Sequence, residues 1–530
     1  MRPVNKQPGS STHSKSLSEA STSISPENFQ IFLQVIAALG DDPGYLARVS
    51  PEDRIRLMKA AGLLSHPTIE ENRRIARTAR KLRIEKHQRH DREMRKSTGI
   101  REAREDRVFT APKQIEESIP RPVGEFKKPR NCYICKAAYT QVHFFYDSIC
   151  PECADLNYRK RFQSASLEGR TALVTGGRVK IGFQTALKLL RAGARTLVST
   201  RFPQDAALRF SREEDFDLWK HRLQIFGLDL RHSPSVEIFA RYLCNTEERL
   251  DILVNNAAQT VRKPPGFYRH LMEWELKRVK DLPEPLRSVL IAHEACKRSL
   301  DGALLPLEDE SSDHSLLKIW PGKSPAIGIR ASAKLSMIPY HVSEESGSND
   351  EIFPEGKLDA DLQQVDLRSV NSWRLLLAEV STSEMLEVHL VNAVAPFILA
   401  AKLKPLMLRH STGAQHIVNA SAMEGKFSRY TKTDKHPHTN MAKAALNMLT
   451  LTSAADYQKS GIHMNAVDTG WITDEDSAEI SQAKKSEHDF EPPLDIVDGA
   501  ARLLDPVFFG ILTGDHVWGK FLKDYQPTAW

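Results

Sequence analysis

The sequence predicts an α/β protein: a doubly wound parallel sheet from about residue 168 onward, preceded by a small four-cysteine module and a helical N-terminal region with a disordered tail. Three observations predict it. Short apolar runs with strand character alternate with stretches that are apolar at helical spacing, which is the pattern of βαβ units. Four of the six cysteines fall between Cys132 and Cys153. The chain before them is charged and punctuated by helix-start signals.

A chain of 530 residues exceeds one domain, since ~100–200 residues per domain is usual. Hydrophobic residues make up 41%, enough for a buried core, and the net charge of +6 is small for the length. Neither figure points to a nucleic acid or a membrane. The N-terminus has no apolar segment of a secretory signal. No apolar run approaches the ~18 residues of a spanning helix. Sparse cysteines fit a reducing compartment. The expectation is an intracellular protein, with the cytoplasm as first choice, and no membrane partner.

Residues 1–25 are rich in Ser, Thr and Pro and read as a disordered tail. Residues 26–110 read as helical and basic. Ser25 and Ser50 are the expected N-caps of two helices. From about Thr68 to Arg107, Arg and Lys outnumber Asp and Glu nearly two to one. A nucleic-acid arm is one reading. A solvated helix is the favoured one, because no aromatics are interleaved to stack on bases. Residues 111–130, rich in proline, read as a linker.

Residues 131–165 hold the cysteines. Cys132-x-x-Cys135 and Cys150-x-x-Cys153 form two knuckles that can close a tetrahedral site of four thiolates. A structural zinc is the expected occupant, with no open position for catalysis. A redox dithiol would need a thioredoxin-like strand before the motif, and none is present. His143 and Asp147 lie close by but are not needed as ligands.

The stretch Leu167–Gly182, LEGRTALVTGGRVKIG, is an apolar strand, a glycine-containing turn and the start of an apolar-periodic helix. Backbone amides of such a turn bind a pyrophosphate. With the later strands, this resembles the short-chain dehydrogenase/reductase family and its Rossmann-type fold. Thr175, Gly176 and Gly182 match the family's TGxxxGxG, and Lys180 stands where the middle glycine belongs. Strand RTLVST ends at Thr200-Arg201. Strand LQIFGLDL ends at Asp229-Leu230, which resembles the adenine-side aspartate. LDILVNNAA resembles NNAG through Asn255, Asn256 and Ala257. Asn392 matches the active-site asparagine, Lys443 the lysine of YxxxK, and Gly470 the glycine of the PG turn. Val517-Trp518-Gly519 resembles the closing strand.

The resemblance implies an NADP(H) site, with NAD as second candidate, formed by Thr175, Gly176, Arg178, Lys180, Ile181, Gly182, Arg201, Asp229, Leu230, Asn256, Ala257, Lys443 and Gly470. Arg201, in place of an acidic residue, favours the 2′-phosphate, and Arg178 and Lys180 add positive charge. The catalytic set implied is Lys443 and Asn392. Thr439 replaces the tyrosine, and Ser421 lies one position before the usual serine. Tyr430 and His438 are candidate replacements for the missing proton donor.

Residues 168–258 and 365–530 are thus expected to form the Rossmann domain, split by an insertion at 259–364. That insertion leaves the carboxyl end of a strand, so it should lie beside the active-site mouth. Within it 307–315 and 342–351 read as flexible. Two functions follow. One is an atypical NADP-dependent oxidoreductase acting on a carbonyl or imine. The other is an inactive dinucleotide-binding pseudoenzyme that uses the cysteine module and the insertion to bind protein partners. The resemblance also implies homo-oligomers through the helices carrying Asn392 and Lys443, which the insertion could block.

Overall fold

The computed structural model describes residues 25–114, 122–302, 326–340, 349–428 and 432–530. Residues 1–24 of the tail expected at 1–25, the segment 307–315, residues 342–348 of the segment expected at 342–351, and Tyr430 lie outside the described residues. The chain divides into two units, Met1–Lys86 and His87–Trp530. The first contains α1 (Pro26–Asp41), α2 (Pro51–Ser65) and the beginning of α3 (Ile69–Lys96). Ser25 and Ser50 cap α1 and α2 by accepting from Asn28 N and Asp53 N. A cap hydroxyl satisfies one of the orphan amides of a first turn. Neither helix has a buried residue.

The second unit opens with a hairpin, β1 (Gly124–Asn131) and β2 (Ala138–Val142), followed by α4 (Pro151–Phe162). The expected linker 111–130 therefore ends in a strand, because pairing with β2 satisfies its backbone despite the proline. The main sheet has eight strands, ordered β10-β9-β8-β7-β6-β3-β4-β5. They are β3 (Thr171–Thr175), β4 (Arg195–Thr200), β5 (Leu223–Gly227), β6 (Ile252–Asn255), β7 (Gln415–Ser421), β8 (Ile462–Asp468), β9 (Phe521–Lys523) and β10 (Gln526–Thr528). All neighbouring pairs are parallel except β9–β10. The closing strand begins at Phe521; Val517–Gly519 instead lead into it, and Gly519 N donates to Met464 O.

The helices crossing between strands are α5 (Lys180–Arg191), α6 (Pro203–Phe210), α7 (Ser233–Thr246), α8 (Pro265–Glu275), α9 (Ile291–Gly302), α10 (Thr382–Arg409), α11 (Pro437–Gln458), α12 (Ala478–His488) and α13 (Ile496–Thr513). β3 is buried along its whole length, as a central parallel strand covered on both faces must be. Two apolar layers flank the sheet. One is built on α5 and α13, the other on α7 and α10. Contrary to the sequence expectation, one described segment, Thr382–Arg409, is long and apolar enough to cross a membrane, and 56% of its most apolar window is buried inside the protein. It is apolar because it is a core helix of the sheet. Asn349–Ile352 is a short helical turn within the stretch expected to be flexible.

The cysteine module is not separate from the sheet domain. Phe145, Tyr146 and Ile149 share one apolar cluster with Ile472, Leu494, Ile496 and Val497. Arg161 of α4 makes paired bonds of 2.6 and 2.7 Å to Asp495 and a third of 3.1 Å to Asp498, while Tyr146 Oη donates to Asp498 at 2.5 Å. The end of the basic stretch is likewise spent inside the protein. Arg95 pairs with Asp489, Arg101 with Asp147 and Glu491, and Arg104 with Glu491.

Candidate active site

The turn after β3 is as tight as a pyrophosphate-binding turn requires. Gly176 has φ +67° and Gly182 packs directly on it. A Cβ at Gly182 would lie 2.3 Å from both Gly176 O and Asn256 Nδ2, and one at Gly176 would meet Ala257 Cα at 2.8 Å. Asn256 Nδ2 donates to Thr175 O at 3.0 Å, and Ala257 N donates to Thr175 Oγ1 at 3.0 Å. The ends of β3 and β6 are thereby locked together below the α5 N-terminus. Ile181, in the first turn of α5, faces Gly499 of α13.

Lys180 adopts φ +56°, the left-handed conformation that the family glycine would take. Its side chain is half-buried. Burial opposes its charge, yet Asp361, Glu475 and Asp359 hold the ammonium above the ordinary lysine value. Glu475 is fixed by hydroxyls of Thr260 at 2.9 Å and Thr473 at 2.7 Å. Arg178 is buried and donates to Asp205 at 2.7 Å and Gln363 at 3.3 Å. The expected positive charge of Arg178 and Lys180 is therefore offset by carboxylates, three of them distant in sequence.

Arg201 follows β4. Its guanidinium donates to Ser336 Oγ at 3.1 Å and Tyr268 Oη at 2.9 Å, both from the insertion. Asp229 is buried at the end of β5 and bound by Arg231 at 2.6 Å, and its N–H donates to Gly328 O. Arg231 also pairs with Glu387 at 2.6 Å. Leu230 is buried beside it. The insertion thus lies at the carboxyl ends of β4 and β5.

On the other side, helical spacing puts Thr439, Lys443 and Asn447 of α11 on one face. Lys443 Nζ donates to Ala420 O at 2.8 Å, and burial pushes its pKa down to about 8 against the pull of Glu424 and Asp468. Ser421 Oγ donates to Asn447 Oδ1 at 2.5 Å, so the serine is tied to α11 and buried. The bond ties the Ser421 hydroxyl to the helix that carries Lys443. Among the described residues, Thr439 Oγ1 donates to Thr260 O, at a long 3.5 Å. Asn392 sits in a π-helical turn, Leu390–Val394, and donates to Gln259 O at 2.9 Å and Val388 O at 2.8 Å. Such turns open a helix backbone and recur at functional sites. His438 is 2% exposed, and neither ring nitrogen has a partner among the described residues. Burial pushes its pKa below the ordinary histidine value despite Glu384, so it is neutral at pH 7. At the end of β8, Gly470 N donates to Asp468 Oδ1 at 2.9 Å, and φ +84° explains the glycine.

The four cysteine sulfurs, of Cys132, Cys135, Cys150 and Cys153, lie within 4.8 Å of one another. Cys135 and Cys150 Sγ are 3.6 Å apart, near the ~3.8 Å edge of a tetrahedron with 2.3 Å metal–sulfur bonds. Ile134 N and Cys150 N donate to Cys132 Sγ at 3.4 and 3.3 Å, which stabilises a thiolate. The donor set fits a tetrahedral metal. His143 accepts from Phe145 N, and Asp147 is held by Arg101; neither joins the cluster.

Sequence reasoning did not find Asn447, Tyr268, Ser336, Asp205 or Glu475. Asn447 was reachable, four residues beyond Lys443 on the same helical face. The others come from distant segments and carry no local signal.

Sheet order, glycine turn and the crossing helices define a Rossmann-type, doubly wound fold. Two family profiles match it: one described as short chain dehydrogenase over residues 170–279, and one described as Enoyl-(Acyl carrier protein) reductase over 371–493. Over the residues they match, both profiles support membership of the short-chain dehydrogenase/reductase family. It is 29% identical over 417 residues to the uncharacterized protein R665 of Acanthamoeba polyphaga mimivirus, covering 76% of each chain. It is 42% identical over 95 residues to dehydrogenase/reductase SDR family member 13 of Bos taurus, covering 18% of this chain and 24% of that one. Less than a third of the bovine protein's length is therefore shared. Among solved structures it is similar to the RhlG/NADP active-site complex of Pseudomonas aeruginosa, at 17% identity and TM-score 0.39, covering 68% of this chain and 95% of that one.

Proposed function

We propose that this protein binds NADP(H) across the carboxyl ends of β3–β6 and β7–β8 and reduces a carbonyl or imine, with Lys443 in place of a tyrosine as the proton-holding group. The observation that carries this reading is Lys443 itself: a buried ammonium anchored on Ala420 O, with its pKa brought to about 8. A group titrating near the working pH is suited to proton transfer. A threonine hydroxyl at 439 is not.

When bound, the reduced nicotinamide supplies a hydride to the electrophilic carbon. The chain's own residues do the rest. The turn amides between Gly176 and Gly182 and the α5 N-terminus bind the pyrophosphate. Arg201 meets the adenosine end. Lys443 gives one proton to the substrate heteroatom and regains it from solvent. An imine suits this best, because its nitrogen is basic enough to take a proton from an ammonium. Asn392 keeps the π-turn that shapes the opposite wall.

NADPH consumption against a panel of imines, carbonyls and activated alkenes tests this reading. Turnover with at least one class, lost by about a hundredfold or more in Lys443→Met, is expected. The second reading, an inactive dinucleotide binder, is favoured by one observation: the Ser421 hydroxyl, next to the family's serine position, donates to Asn447. NADPH binding without turnover on any class would establish it. We infer further that the four-cysteine cluster holds a structural zinc, as its donor set and spacing require no fifth ligand.

A further inference from the structure

We propose that the insertion sets the choice between the phosphorylated and unphosphorylated dinucleotide, with Tyr268 and Ser336 as positioning residues that hold Arg201 for the ribose 2′-phosphate. The inference rests on the cofactor reading above and deepens it.

Three arginines stand around the carboxyl ends of β3, β4 and β5, and two have their charge spent. Arg178 is paired with Asp205 at 2.7 Å, and Arg231 with Asp229 and Glu387 at 2.6 Å each. Arg201 is different. Among the described residues it makes no ion pair, and its two terminal nitrogens donate to neutral hydroxyls, those of Ser336 and Tyr268. Hydroxyl partners orient a guanidinium without cancelling its charge. The ring of Tyr268, 4.8 Å away, and that of Phe202, 5.6 Å away, add cation–π support. Ser332 Oγ donates to Arg201 O at 2.9 Å and fixes the backbone beneath it.

The support is rigid. Tyr268 stacks on Phe202 at 5.2 Å and meets Phe267 edge-on at 5.1 Å, within an apolar cluster that also takes in Leu271, Ala333 and Phe353. Tyr268 and Ser336 are buried, whereas Arg201 is half-exposed. The two hydroxyls therefore act through Arg201 rather than on a ligand. A half-exposed arginine fixed in place, with charge left over, is built for a dianion: a planar fork loses little entropy on binding a phosphate. A ribose carrying only a 2′-hydroxyl does not use that charge.

The test is calorimetric titration of the zinc-loaded full chain with NADPH, NADH, adenosine 2′,5′-bisphosphate and 5′-AMP. The wild type should bind NADPH at least tenfold tighter than NADH, and the bisphosphate tighter than 5′-AMP by a similar factor. The double variant Tyr268→Phe, Ser336→Ala should lose most of that ratio, with NADH affinity unchanged. Arg201→Met should abolish the ratio and serves as the second variant should the double variant unfold. Equal binding of both dinucleotides by the wild type overturns the inference and leaves the cofactor reading standing. So does an unaltered ratio in a folded double variant, or a parallel loss for both dinucleotides. Binding of neither dinucleotide by the wild type overturns both.

Discussion

Gly182 shows how little room a single position has. Its missing side chain lets the first turn of α5 rest on Gly176 O and on Asn256. In Gly182→Ala the added carbon would sit 2.3 Å from a backbone oxygen that cannot move without breaking the strand-to-helix turn. We expect a loss of about 1–3 kcal/mol in urea unfolding together with loss of NADPH binding. A variant of wild-type stability and affinity would contradict this. Two buried histidines make a prediction in pH. Burial pushes His293 down to about 3, where its Nδ1 accepts from Gly227 N, and pushes His416 well below its ordinary value beside His463 and His516. Both are neutral in the folded chain while the unfolded chain takes up protons below about pH 6.5. Their contribution is therefore complete above that pH and is lost as pH falls, at about 1.4 kcal/mol per pH unit for each group. Denaturant midpoints measured from pH 7 to pH 5 should fall, and His293→Gln should show a shallower slope.

At the scale of elements, α4 and α13 are joined by one buried charge set. Arg161 is fully buried between Asp495, which caps the α13 N-terminus, and Asp498 on the first turn of that helix. Removing the arginine leaves two carboxylates without their cation. Breaking a buried pair from one side costs about 3–5 kcal/mol. Arg161→Met should lower stability by that order, read from guanidinium unfolding, and should recover in part at acid pH as the carboxylates protonate. A loss below about 1 kcal/mol would mean that the charges are not desolvated as the packing indicates.

At the scale of the molecule, the cysteine module and the Rossmann sheet share a core. Tyr146 and Phe145 belong to the same buried cluster as Ile496 and Val497, and Arg101 and Arg104 pair with Glu491. Chelation of the proposed zinc, or Cys135→Ser, should therefore lower the melting of the sheet as well as of the module. One transition, shifted down by several degrees, is the expected scanning-calorimetry trace. An unshifted main transition beside a new low one would show two independent domains.

How much of this was legible in the sequence follows from the range of each interaction. Strand and helix periodicity, the glycine turn, the two cysteine knuckles and the Ser25 and Ser50 caps are local, so residues within a few positions of one another specify them. The sheet strands β3 to β8 stand where the apolar runs placed them. Lys443 and Asn392 are on the expected helices. Local pattern failed where an element depends on a distant partner. β1 exists because β2 pairs with it, and the closing strand lies after Gly519 because it must align with β8. The sequence singled out Arg201 at the end of β4 for the 2′-phosphate and read Arg178 and Lys180 as added positive charge, but it did not show which of the three charges is paired. Only the tertiary structure decided that, by bringing Asp205 to Arg178, hydroxyls to Arg201 and three carboxylates to Lys180. A charge is a property of the residue, but whether it remains available to a ligand depends on which neighbours the fold puts within a few ångströms.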